Sequence, residues 1–314
     1  MFAFLLIVAG ALAVAYFLFA QNQKGQSIMS KRVMVRERCR SEQDCKQILV
    51  LVVTNGSPHG CARTLFELFD KARCPQRLHV AVHDTVRNGA YSPNIVQLYA
   101  AIAKESSCIG KRFSERISYY RIPEHQSRGR TVALAQILQT AYKGQSYVCT
   151  VGDVVELAPQ WDHTAIHQLH ATRDPRAILT GPLAVSVETS RQAHTVSVED
   201  GDTTQMAPRF PVFDSFSWLG LPTLGGHIFA KPKPQIPTSS LFWVADFSFA
   251  DASAFAPSGQ ASNFDARLLN ASSGEEFWQS ARLWTQGWNF YAPTVPIACV
   301  PREASIDATQ ATQI

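Results

Sequence analysis

The 314-residue chain contains no G-x-G-x-x-G segment and no phosphate-binding P-loop. A nicotinamide- or ATP-binding reading therefore has no glycine-rich cradle behind it. No C-x-x-C occurs, and no Cys/His group has zinc-ligand spacing, which argues against a structural zinc. No basic block is interleaved with aromatics, and the formal net charge is only +4, which argues against nucleic-acid binding. The seven cysteines are an odd number, so at least one thiol stays unpaired if the others bridge. Cys39 and Cys45 are placed to close a small loop in an oxidising compartment.

Charge is also absent from residues 2–20, which are almost entirely apolar and about long enough to cross a bilayer. A cleaved signal peptide has a basic start and a shorter apolar run, and here no Lys or Arg precedes the run. Residues 1–20 are expected to form a transmembrane anchor and residues 21–46 a polar stem. The basic residues Lys24, Lys31, Arg32, Arg36, Arg38 and Arg40 follow the anchor. A positive-inside bias would keep the large domain cytosolic, but long domains translocate against such a bias, so both orientations stay open. Asn270-Ala271-Ser272 is a glycosylation sequon, and Asn55-Gly56-Ser57 is a poorer one because Pro58 follows.

From residue 47 onward the chain has a globular composition and ample length for a buried core. Residues 48–54 form a continuous apolar, β-branched run, the pattern of a strand buried on both faces. Residues 61–72 then carry apolar side chains at 61, 65, 68, 69 and 72, which is helical spacing. Strands are expected at 78–83, 117–122, 147–151 and 177–180, with helices at 94–104, 128–142 and 161–171. The alternation predicts a mostly parallel sheet with helices on both faces. Further on, 188–209 reads as a surface loop and 241–249 as one strand. Residues 276–285 read as a helix opened by Glu275 and Glu276. Short strands are expected at 289–291 and 298–300, and 301–314 reads as a frayed tail.

The stretch YVCTVGDVVELAPQWD, residues 147–162, ends a buried strand on an acidic segment. Ligands of α/β enzymes collect outside the carboxyl ends of strands, so Asp153 is a candidate to hold a metal or a polar substrate group. Glu156 contributes if the loop turns tightly. The bland alternative is a solvated carboxylate pair.

Three patches together resemble the family of N-acetylglucosaminyltransferases that modify polypeptides, best known for hydroxyproline. One is Cys61-Ala62-Arg63-Thr64-Leu65, followed by Ala72, Pro75 and Arg77. Another is Pro159-Gln160-Trp161-Asp162. The most specific begins with Leu241-Phe242-Trp243 and Phe247-Ser248-Phe249. It continues through Gly274-Glu275-Glu276 and the run from Ala281-Arg282-Leu283-Trp284 to Asn289-Phe290-Tyr291-Ala292-Pro293. The resemblance covers residues 48–293. It implies a GT-A fold over residues 47–300, UDP-N-acetylglucosamine as donor and a divalent cation, Mn2+ or Mg2+. It also implies a polypeptide or glycan acceptor and residence in the Golgi or ER. A cation would stabilise the diphosphate leaving group as a Lewis acid, and hard cations take oxygen ligands.

The chain departs from that family where the ligands should be. The family's Asp-Ser-His metal motif falls on Gly152-Asp153-Val154, and a late histidine falls near Val300. An Arg-Asp pair falls on Ser57 and Pro58, and a proline and an arginine are lost from the segment 129–134. Asp153 sits one residue late, which in an extended strand would turn it to the other face. Two readings follow. In the first, the chain is an active transferase in which Asp153 holds the metal or the donor ribose. Arg128 or Arg130 then meets the diphosphate, and Glu275 or Glu276 serves the acceptor or acts as base. In the second, it is an inactive, membrane-anchored homologue that binds an acceptor or a partner glycosyltransferase.

Overall fold

The computed structural model describes residues 46–87, 92–106, 113–186, 206–207, 209–217, 220–228, 234–256, 262–270 and 274–301. The chain divides into residues 1–45 and 46–314, and all described residues belong to the second unit. The expected anchor, the stem with Cys39 and Cys45, and residues 302–314 lie outside them. Among the described residues, no helix is long and apolar enough to cross a membrane.

The first half alternates as β1 (Ile48–Asn55), α1 (Pro58–Asp70), β2 (Leu78–Val86), α2 (Ile95–Ser106), β3 (Ile117–Pro123), α3 (Arg130–Ala141) and β4 (Tyr147–Val151). Then come β5 (Glu156–Leu157), α4 (Trp161–Ala171), β6 (Ala177–Thr180), β7 (Val185–Ser186), β8 (Met206–Ala207), β9 (Arg209–Phe216) and β10 (Pro222–Ile228). The chain continues through β11 (Thr238–Ser240), β12 (Phe247–Asp251), α5 (Glu275–Thr285), β13 (Asn289–Ala292) and β14 (Ala298–Cys299).

Eight strands form one mixed sheet in the order β11-β13-β6-β12-β4-β1-β2-β3. β4, β1, β2 and β3 run parallel, and β12 enters antiparallel between β4 and β6. β1 occupies the middle because it has nothing polar to expose before Thr54. Ile48, Val50 and Val52 pack with Cys61, Leu65, Leu68 and Phe69 of α1 on one face. Leu49 and Leu51 pack with Leu134, Ile137 and Leu138 of α3 on the other. Each such buried aliphatic contributes about 1.5–3 kcal/mol relative to exposure. α1 starts at Pro58, where the missing N–H has no intrahelical partner to lose, and Cys61 N–H donates to Ser57 O at 2.9 Å.

The Trp161-Asp162 pair is architectural. The indole Nε1 of fully buried Trp161 donates to Leu68 O at 2.9 Å, tying α4 to α1. The buried Asp162 carboxylate accepts from the N–H of Arg73 and Cys74, and from Nε and Nη2 of buried Arg77 at 2.9 and 2.5 Å. A buried ion pair needs such saturation of its hydrogen bonds to offset desolvation.

Two expectations change. Residues 241–249 are not one strand: β11 ends at Ser240, β12 begins at Phe247, and a loop lies between them. That loop buries Trp243, Val244 and Ala245, so its apolarity reflects burial and not extension. Within the segment expected to be a surface loop, Met206–Ala207 is a strand and Arg209 opens β9, which pairs with β10 as an antiparallel hairpin. Residues 188–205 lie outside the described residues.

Candidate active site

β1 continues into β2 on one side, whereas β3 returns to β4 on the other side of β1. Strand order therefore reverses between β1 and β4, and a crevice opens at the carboxyl ends of such a pair. Asp153 sits at that point. β4 stops at Val151, so the strict in-and-out alternation of a strand no longer governs residue 153. Thr54, the last buried residue of β1, donates from Oγ1 to Asp153 Oδ2 at 2.8 Å. Thr64 of α1 fixes the loop by bonding Asp153 O, Val155 O and Val155 N–H at 2.9–3.1 Å.

Four more charged side chains converge there. Arg130, the first residue of α3, pairs through Nη2 with Asp246 Oδ1 at 3.0 Å. Glu275 Oε2 accepts from Thr131 Oγ1 at 3.1 Å, and Glu276 Oε1 accepts from Ala245 N–H at 2.7 Å. Gly152 N–H donates to Asp246 O at 2.9 Å, binding the loop before β12 to the end of β4. Burial raises the carboxyl pKa of Asp153, with the Thr54 bond and the Arg130 charge opposing it. Burial likewise raises Glu275, against Arg130 and Thr131. Glu276 is pushed up to about 7, chiefly by burial, with Asp246 and Glu275 adding to it and the Ala245 bond opposing it. A carboxyl in that range suits general base chemistry near neutral pH.

The fold thus brings together Asp153, Arg130, Glu275 and Glu276. Arg128 is exposed, and its described hydrogen bond is through the backbone carbonyl, to Asn270 N–H. Glu156 pairs with Cys299 in the small β5–β14 sheet and does not take part in this group. Arg282 donates from Nε to Asn263 O at 2.9 Å and lies 3.6 Å from Asp265, so it braces the neighbouring loop. Trp284 is 67% exposed and is not a core residue. The sequence reading missed Asp246, hidden in a run taken for a strand, and Thr54, whose hydroxyl reads as an ordinary strand end.

A divalent cation is implied by the family resemblance, but the residues present do not fit one. Gly152 offers no ligand, and Val154 and Val300 stand where histidines are expected. Asp153 is engaged by Thr54 and Asp246 by Arg130. Among the described residues, no group of three or more His, Cys, Asp or Glu could hold a metal ion.

The sequence profile of the Glycosyltransferase (GlcNAc) family matches residues 101–300, the greater part of the chain. The chain belongs to the GlcNAc glycosyltransferase family. No curated protein sequence matches this family member significantly. Its fold is similar to that of GalNAc-T7, solved with UDP, GalNAc and Mn2+, at a TM-score of 0.54 and 14% identity. That match covers 81% of this chain but 43% of the GalNAc-T7 chain, so the family member spans less than half the length of that neighbour. The mannosyltransferase PcManGT from Pyrobaculum calidifontis, with GDP-Man and Mn2+, matches at a TM-score of 0.46 and 11% identity. That match covers 84% of this chain and 59% of the mannosyltransferase. The large, mostly parallel sheet flanked by helices resembles that of GT-A glycosyltransferases.

Proposed function

We propose that the protein transfers N-acetylglucosamine from UDP-N-acetylglucosamine to a hydroxyl of a polypeptide or glycan. The observation that carries this reading is the meeting of Asp153, Arg130, Glu275 and Glu276 at the strand-order reversal, in a chain of the GlcNAc glycosyltransferase family. The UDP held by GalNAc-T7 lends support to a uridine donor.

In this reading Asp153, steadied by Thr54, accepts a hydrogen bond from a ribose hydroxyl of the donor. Arg130 faces the diphosphate. Glu276, with Oε1 held by the Ala245 N–H, takes the acceptor proton on its other oxygen. The acceptor oxygen bonds to the anomeric carbon as the bond from that carbon to the β-phosphate oxygen breaks, and the electron pair departs with UDP. The charge that develops on the leaving diphosphate is the quantity the site must stabilise. Glu275, oriented by Thr131, positions the acceptor. Exposed Phe277 and Trp278 follow the two glutamates on α5 and offer the acceptor an apolar surface.

The proposal includes a lumenal domain in the ER or Golgi, anchored by residues 1–20. Support comes from Cys74, which is disulfide-bonded, a state that persists in oxidising compartments. The loss of side-chain ligands at Gly152 and Val154 favours a second reading, an inactive homologue that binds an acceptor or a partner transferase. The test is UDP release by the full-length chain from UDP-N-acetylglucosamine, UDP-N-acetylgalactosamine and UDP-glucose, with peptide and glycan acceptors. Release that favours N-acetylglucosamine and falls at least a hundredfold in Glu276→Gln supports the transferase. Donor binding without release under any acceptor condition leaves the second reading standing.

A further inference from the structure

Residue 152 is glycine, and a Cβ built there would lie 3.0 Å from Val155 Cγ2 and 3.6 Å from Asp246 Oδ1. The place from which the family's carboxylate would project is therefore flanked by a carboxylate from a different part of the chain. That carboxylate holds a guanidinium, with Arg130 Nη2 3.0 Å from Asp246 Oδ1. The pair is open to solvent, with side chains 29% and 47% exposed. Among the described residues, Arg130 makes one side-chain hydrogen bond, to Asp246, so its remaining donors are available to a ligand. The same positive charge acts on Asp153, Glu275 and Glu276.

We infer that the Arg130 guanidinium, clamped by Asp246 beside Gly152, takes the role of the divalent cation, so that this chain binds the diphosphate of a UDP-sugar without metal. The inference rests on the proposed UDP-sugar reading. A guanidinium is always charged and presents a planar fork that matches two phosphate oxygens, so it supplies fixed positive charge with directional hydrogen bonds. It carries one charge where a metal carries two.

UDP is titrated calorimetrically into the full-length protein in excess EDTA and again in Mn2+. The expected result is a Kd that differs by less than twofold between the two. In Arg130→Ala the Kd in EDTA should rise about tenfold to a hundredfold, the cost of losing hydrogen bonds to a charged group. Arg130→Lys, which keeps the charge but not the fork, should fall between, and thermal melts of both variants report whether they remain folded. UDP binding that requires Mn2+ and is lost on chelation overturns the inference and leaves the UDP-sugar reading intact. Metal-free binding that is unchanged in both Arg130 variants also overturns it. An absence of UDP binding under every condition removes it together with the UDP-sugar reading.

Discussion

Replacing Glu276 with Gln should abolish transfer and, at alkaline pH, stabilise the protein. The carboxyl pKa rises from 4.5 to about 7 on folding, chiefly because burial disfavours the charged form. The folded state therefore holds a proton that the unfolded state has released between those two values. Stability from this group is fully present below about 4.5 and is lost as pH climbs through about 7. The full difference corresponds to about 3 kcal/mol, an upper bound because the neighbouring Asp246 side chain is 47% exposed to water. Gln keeps an oxygen for the Ala245 N–H and cannot ionise. At pH 8 the variant should gain about 1–3 kcal/mol, a rise in melting temperature of roughly 3–9 °C. At pH 4.5 the two proteins should melt within about 1 °C of each other. Removing a general base lowers kcat/KM by about 10²–10⁴-fold. The assay is differential scanning calorimetry at both pH values beside a UDP-release assay. A melting difference that does not change with pH refutes the raised pKa, and a variant with undiminished turnover refutes the role as base.

Three further outcomes follow from the same geometry. Asp162→Ala removes the buried carboxylate that pairs with the Arg77 guanidinium and accepts from the N–H groups of Arg73 and Cys74, so urea denaturation should show a loss of about 3–5 kcal/mol. Thr54→Val removes the 2.8 Å hydrogen bond that favours the ionised form of Asp153, so the acid limb of the pH–rate profile should move upward, read from kcat/KM between pH 4 and 8. Gly226→Ala places a Cβ 2.7 Å from Pro182 Cγ and 2.8 Å from Arg209 Cζ, against the side chain whose Nε and Nη2 bond Gly226 O; thermal denaturation should show about 1–3 kcal/mol lost.

The sheet was legible where burial on both faces imposed an unbroken apolar run. β4 and β6 fall at 147–151 and 177–180, and α4 at 161–171, as periodicity predicts. The β9–β10 hairpin was not legible, because Gly225 and Gly226 give β10 no side chains to alternate and Phe213 and Phe216 are exposed. The site was legible in part for a physical reason. Asp153, Glu275 and Glu276 stand at the ends of elements, where a carboxylate is conspicuous. Asp246 lies in a loop that is apolar because it is buried, and apolarity alone does not separate a buried loop from a strand. Its significance depends on Gly152 and Arg130, which lie 94 and 116 residues away in sequence. Asp162 illustrates the converse: a residue that carries the family resemblance turns out to hold α4 in place.

The central claim is that a nucleotide sugar binds where strand order reverses between β1 and β4. Amide hydrogen exchange of the full-length chain, with and without saturating UDP-N-acetylglucosamine, tests it most directly. The account predicts protection at residues 54–57, 130–133, 152–155 and 245–246, with little change in the β9–β10 hairpin. Protection confined to other segments, or no protection at any donor concentration, would contradict it.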